Sequence, residues 1–250
     1  YFGSRHILVV QARCSLRSFL CGPTSDSNMY RYSGLALLLI GGAATADSKP
    51  VFDYTFASNC PVCKSFGNTT LKALYGADGI ADAVDFQVHA GVRMGLFKDY
   101  ECVLEKPGCP MTRYMLCALD TKPANIMAYL NCWNEAAVIR WPYTGVASRA
   151  QACAERSEID WQLISACSSS DHGDQLMERE ATYFTERFPD FAHAGPGKPF
   201  GVPHVYIDGE EMGAKGWAEK VPYDGYVHKL CGTGIKAAAC HSPETAQVVV

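Results

Sequence analysis

The chain has 250 residues, 48% hydrophobic and 19% charged, enough for one sizeable core or for one domain with a large insertion. A formal net charge of -4 at pH 7 offers no basic surface for nucleic acid, and that class of partner is set aside. Twelve cysteines exceed ordinary cytosolic usage and fall short of a knottin-like scaffold at this length, which implies a folded domain in an oxidising compartment.

The first methionine is Met29. A short basic start, the apolar run Gly34 to Ala44 and Ala44-Thr45-Ala46 before Asp47 make residues 29–46 a secretory signal peptide. That run is too short to cross a bilayer unaided, so no stable membrane span is expected in the mature form. Residues 1–28 carry Arg5, Arg13 and Arg17 with no acid before Asp26. They read as an upstream or additional targeting segment, which leaves a two-part organelle address open. Setting residues 1–46 aside removes Cys14 and Cys21 and leaves ten cysteines for a domain over residues 47–250.

Val51 to Ala57 is strand-like, and Lys64 to Tyr75 places Phe66, Leu71, Leu74 and Tyr75 on one helical face. Between them lies Cys60-Pro61-Val62-Cys63. Two thiols on the turn from a strand into a helix are placed for redox chemistry. With Cys60 as N-cap and Pro61 as the first helical residue, free N–H groups and the dipole face the Cys60 sulfur and favour its thiolate, while Cys63 is the resolving thiol. An inert disulfide and half of a zinc site are the bland readings. No second ligand pair stands at finger-like spacing, so no metal is expected. Asn68-Thr69-Thr70 is an N-glycosylation acceptor at Asn68 on the predicted helix.

Ala83 to Ala90 is the second strand, and strand, helix and strand in this order suit a parallel pair. Gly91 to Tyr100 reads as loop. Cys102 and Cys109 flank the turn chemistry of Pro107-Gly108 and can close a small disulfide loop. From Met111 to Ser170 helical spacing prevails, with breaks at Lys122-Pro123 and Trp141-Pro142. Cys117, Cys132, Cys153 and Cys167 on these helices read as staples. One more amphipathic helix covers Gln175 to Phe188. His172, His193 and His204 are isolated and read as surface or local polar structure. Pro203 opens a strand through Val205 and Ile207, and Asp208-Gly209 is a strong hairpin turn. Val221 to Leu230 closes the fold as a helix, with Cys231 and Cys240 tethering the tail. Eight cysteines beyond the Cys60/Cys63 pair allow 105 pairings, among which the sequence does not choose.

Cys60 and Cys63, the Cys102/Cys109 pair, the ladder Cys117, Cys132, Cys153 and Cys167, and Val202-Pro203 ahead of Asp208-Gly209 resemble the thioredoxin-like fold. Within that fold the chain resembles the gamma-interferon-inducible lysosomal thiol reductase family, as a divergent member. In that family the segment at Cys102 to Cys109 usually reads Cys-Gln-His-Gly, two variable residues, Glu-Cys, and here only the end cysteines match. The resemblance implies an α/β thioredoxin-like fold with a disulfide-stapled helical insertion at about residues 102–170. It implies that Cys60 attacks a substrate disulfide, that Cys63 resolves the mixed disulfide, and that Pro203, in cis beside Val202, helps hold the substrate strand. No cofactor is implied. The partners would be disulfide-containing protein substrates and a small thiol or protein reductant. The location would be lysosomal, endosomal or secreted. Acid operation sets a demand: half-ionisation near pH 5 needs about 5 kcal/mol relative to a free thiol, more than the ~0.3–1 and at most ~2 kcal/mol of a helix terminus. Hydrogen bonds to the Cys60 sulfur are expected to supply the rest. The competing reading is a non-catalytic secreted or lumenal module with Cys60–Cys63 as a structural disulfide.

Overall fold

The computed structural model describes residues 48–95, 99–121, 125–195, 197–213 and 218–241. The signal and targeting segments over 1–46, with Cys14 and Cys21, and the helix break expected at Lys122-Pro123 lie outside the described residues. A four-stranded sheet organises the rest. Strand β1 (Val51–Phe56) lies inside it, with β2 (Asp85–Ala90) parallel on one side and β5 (His204–Ile207) antiparallel on the other, followed by β6 (Glu210–Glu211). Register runs from Val51 opposite Asp85 to Phe56 opposite Ala90, and Thr55 stands opposite His204. Alternation along β1 sorts its side chains to two faces. Phe52 and Tyr54 meet Phe66 and Tyr226 on one, whereas Asp53 and Thr55 meet Tyr183 on the other.

After β1 the chain coils as α1 (Pro61–Phe66), one π-helical turn (Gly67–Leu71) and α2 (Lys72–Gly76). The π turn explains the pattern of the apolar residues. Phe66 and Leu71 are five apart and both buried, a step that an i→i+5 turn keeps on one face. Gly67 sits where Asn134 crosses: a Cβ there would lie 2.2 Å from the Asn134 amide nitrogen. The short α3 (Ile80–Ala83) precedes β2, so the strand starts two residues later than its apolar pattern suggests.

Gly91 to Tyr100 is not simply a loop. β3 (Val92–Met94) pairs antiparallel with β4 (Tyr100–Cys102). Three-residue strands carry too little alternation to be read, and the hairpin is fastened by an ion pair from buried Arg93 to the partly exposed Glu101, at 2.8 and 3.0 Å. Four helices follow: α4 (Pro110–Asp120), α5 (Ile126–Glu135), α6 (Val146–Arg156) and α7 (Trp161–Ser168). Disulfides join α4 to α7 through Cys117–Cys167 and α5 to α6 through Cys132–Cys153, while Cys102–Cys109 closes the loop before α4. α8 (Asp171–Arg187) begins four residues earlier than expected, with Asp171 and Asp174 in its first turn, where acids suit the dipole. It covers the Asp53 face of the sheet. The short α9 (Pro189–Ala192) leads towards β5.

Asp208 and Gly209 both take positive φ, 48° and 80°, as a type I′ hairpin turn requires. A 3-10 turn (Ala218–Lys220), α10 (Tyr223–Gly232) and a second 3-10 turn (Ala238–His241) finish the described chain, and Cys231–Cys240 ties the last two together. His204 is not at the surface but buried in local polar structure, its ring stacked 4.3 Å from that of Phe188 and its Nδ1 3.4 Å from a Glu211 carboxylate oxygen. Among the described residues no helix is long and apolar enough to cross a membrane.

Candidate active site

Cys60 and Cys63 are free thiols, and every other cysteine of the described residues is in a disulfide. Cys60 has extended backbone, φ -74° and ψ 121°, and caps α1, its sulfur accepting the Cys63 N–H at 3.3 Å. Pro61 occupies the first turn, where the absent N–H leaves no bond unmade. The sulfur is covered more than an open, solvent-facing thiol would be, with Cys60 6% exposed. Pro61 and Val62 form the exposed rim beside it.

The thiols are driven apart in acidity. A hydrogen bond from the Cys63 side chain lowers Cys60 to about 7; burial opposes it, the backbone N–H groups of Cys63 and Val62 assist, and the Glu219 carboxylate pushes the other way. Burial raises Cys63 well above an ordinary thiol, and its bond to Cys60 raises it further. One sulfur is thereby poised as nucleophile while the other keeps its proton and donates it. Hydrogen bonding to the sulfur is the largest influence, but a value of about 7 leaves only about 1% thiolate at pH 5, well short of half-ionisation.

Other groups around the dithiol come from distant parts of the chain. Tyr54, on β1, donates its hydroxyl to the Cys63 carbonyl at 3.3 Å, and burial holds its phenol protonated. Lys64 is 5% exposed, with its ammonium donating to the Trp133 carbonyl of α5 at 2.6 Å. Burial lowers it to about 8, helped by Arg149 and opposed by the neighbouring Cys63 and Cys60 sulfurs. Ser58 and Asn59 tether the turn before Cys60. The Ser58 carbonyl accepts from the Trp133 indole at 2.7 Å, and its hydroxyl meets that of Thr112 at 3.2 Å. The Asn59 amide donates to the carbonyls of Leu104, 2.6 Å, and Ile139, 2.8 Å, and accepts from the Ile139 N–H at 2.9 Å.

The Val202-Pro203 bond is cis, and Trp141-Pro142 is cis as well. Pro203 is buried and immediately precedes His204, which pairs with Thr55, so it stands at the end of β1 that turns towards Cys60. Val202 lies against the same end: a Cβ on Gly91 would meet its Cγ1 at 3.2 Å and the Phe56 carbonyl oxygen at 3.4 Å. Asn68 is half-buried within the π turn. The other eight cysteines of the described residues are held in disulfides and carry no thiol. No group of three or more His, Cys, Asp or Glu among the described residues is arranged to hold a metal ion. Asn59, Lys64 and Glu219 escaped the sequence reading because their partners are remote in the chain. The only local signal was a charged residue, Lys64, on an otherwise apolar helical face.

No protein-family model and no curated protein matches the chain. Solved structures do. The reduced form of the disulfide bond oxidoreductase DsbG from Mycobacterium tuberculosis is similar at a TM-score of 0.55 and 13% identity, over 83% of this chain and 88% of that one. MdbA, a thiol-disulfide oxidoreductase from Actinomyces oris, is similar at a TM-score of 0.51 and 16% identity, over 74% and 81%. Oxidised DsbA from M. tuberculosis is similar at a TM-score of 0.51 and 13% identity, over 82% and 92%. At such identities the likeness speaks for the fold, which is thioredoxin-like.

Proposed function

We propose that the chain is a thiol-disulfide oxidoreductase acting on disulfide-containing proteins. The observation that carries the reading is a pair of free thiols at a helix start, one acidified by the other, in a chain whose other described cysteines are all paired. The Cys60 thiolate attacks one sulfur of a substrate disulfide. A mixed disulfide forms, and the other substrate sulfur leaves as a thiolate able to take the Cys63 proton. Cys63, deprotonated in that exchange, then attacks the Cys60 sulfur and releases the second substrate sulfur as a thiolate, which water protonates. Two electrons pass from the dithiol to the substrate, and a small thiol or a protein reductant restores the pair. The same steps in reverse introduce a disulfide, and the potential of Cys60–Cys63 selects the direction. Val202 and cis-Pro203 serve as the edge against which the substrate strand lies.

Four disulfides support an extracytoplasmic or secretory-lumen setting. The finer assignment to the gamma-interferon-inducible lysosomal thiol reductase family rests on the cysteine order and on Val202-Pro203 ahead of Asp208-Gly209. A Cys60 value of about 7 favours action near neutral pH over action in an acid compartment. Occupancy of Asn68 by glycan is part of the same secretory reading, and a band unshifted by deglycosylation removes it. The low exposure of Cys60 favours the second reading, a non-catalytic cysteine-rich module. Insulin reduction with dithiothreitol, wild type against Cys60→Ser, at pH 5 and at pH 7, decides between them. The enzyme reading requires the wild type to be faster, and faster at pH 7; equal rates for the two proteins leave the module.

A further inference from the structure

Linked through Asn59 to the turn before the dithiol is a second feature that disulfide exchange alone does not call for. A groove of about 310 Å³ runs between residues 101–104 and residues 197–200, lined among others by Leu104, Lys198, Pro199 and Phe200. One buried side chain fastens both walls. Arg93, 1% exposed, binds the Glu101 carboxylate through two nitrogens, donates to the Lys198 carbonyl at 3.2 Å, and lies 4.1 Å from the centre of the Phe200 ring. The Gly197 N–H closes the clamp on Glu101 at 3.1 Å. The groove is therefore shaped before anything enters it, which lowers the ordering cost of binding.

Both walls lead to the thiols. The carbonyl of Leu104 is held by Asn59, the residue before Cys60, and Phe200 runs through Gly201 and Val202 into cis-Pro203. Leu104 itself is out of place by ordinary rules. It is a bulky apolar residue, 52% exposed, on a backbone with φ of 55°, a region that favours Gly, Asn or Asp. Its backbone serves the fold, inside a turn where the Glu105 N–H reaches the Cys102 carbonyl at 3.4 Å and with its own carbonyl on Asn59, but neither contact calls for an apolar side chain held out into water.

We infer that this groove is a subsite for the substrate polypeptide, in which Leu104 and Phe200 take an apolar side chain flanking the disulfide under attack. The inference rests on the oxidoreductase reading. It makes the substrate an extended or unfolded segment with an apolar neighbour to its cysteine, and it makes Leu104 a specificity-determining residue. Continuity with Cys60 on one wall and with cis-Pro203 on the other fixes the occupant as the chain that bears the disulfide.

The test uses three substrates: 2-hydroxyethyl disulfide, and two short peptides whose single cysteine is disulfide-linked to glutathione and flanked by Leu in one and by Ser in the other. Wild type should show a kcat/KM about five- to tenfold higher for the Leu peptide than for the Ser peptide. Leu104→Asn, which suits the left-handed backbone and keeps the fold, should abolish that preference and leave the small disulfide unaffected. Equal kcat/KM of wild type for the two peptides overturns the subsite, as does a preference that survives in Leu104→Asn or a variant that slows on all three substrates alike. Because the peptide comparison is made on wild type, it stands even if the variant fails to fold. If wild type reduces none of the three faster than Cys60→Ser, the oxidoreductase reading itself falls. Turnover of the small disulfide without peptide preference removes the subsite only.

Discussion

Replacing Cys63 by alanine removes the largest influence on Cys60 acidity while leaving the backbone N–H groups in place. Cys60 should then titrate near an ordinary thiol, about 8.5, instead of about 7. At pH 7 the thiolate fraction falls from about half to about 3%, roughly a 15-fold loss. The more basic thiolate is about fivefold more nucleophilic at a Brønsted slope of 0.4–0.5, so alkylation at pH 7 slows only about threefold. Well above both values, where each thiol is fully ionised, the variant should be the faster by about fivefold. The two rate profiles must therefore cross. Cys63→Ser keeps an O–H donor and should stay within about half a unit of wild type. Thiolate absorbance near 240 nm and iodoacetamide rates from about pH 5 to about pH 10 read both quantities. A Cys63→Ala protein that still titrates near 7, or profiles that never cross, would refute the claim that this hydrogen bond sets the reactivity.

Glu105 accepts from the Met111 and Thr112 N–H groups and the Thr112 hydroxyl, yet burial raises its carboxyl to about 7. Its folded value lies above its unfolded one, so the stability it contributes is full below about pH 4.5 and is lost as pH rises through 7, at most about 3 kcal/mol. Glu105→Gln should flatten that slope in urea unfolding between about pH 5 and about pH 8, and an unchanged slope counts against it. Gly67→Ala should destabilise by about 1–3 kcal/mol through the clash with Asn134, and the added change Asn134→Ala should recover most of the loss in thermal melts; no recovery means the clash is not the cause. Opening Cys117–Cys167, with a sequence separation of 50, should cost about 4 kcal/mol and opening Cys132–Cys153, with a separation of 21, about 3 kcal/mol. Reversal of that order for paired Cys→Ala variants contradicts a loop-entropy origin.

What could be read from the sequence was what short-range chemistry dictates. The β1 strand, the Cys-Pro start of α1 and the Asp208-Gly209 turn each follow from residues within one turn of each other. What could not be read depends on closure over long distances. Arg93 looks like a surface cation until Glu101 and the carbonyls of Phe191 and Lys198 are folded around it. Lys64 likewise becomes an interior ammonium only because Trp133 is carried to it by a helix sixty-odd residues away. The pairings Cys117–Cys167 and Cys132–Cys153 belong with these, since which helix lies beside which is a property of the packed bundle. The acidity of Cys60 was half legible. Its sign follows from position at a helix start, while its size depends on Cys63, Val62 and Glu219 together.

Ser58, Asn59 and Lys64 bind Trp133, Leu104 and Ile139, so the short stretch bearing the two sulfurs is stitched to the helical portion at both of its ends. The motif is not portable. Transplanting Cys-Pro-Val-Cys into another scaffold, or paring this chain down to its sheet and flanking helices, would cut those stitches and carry away the chemistry with them.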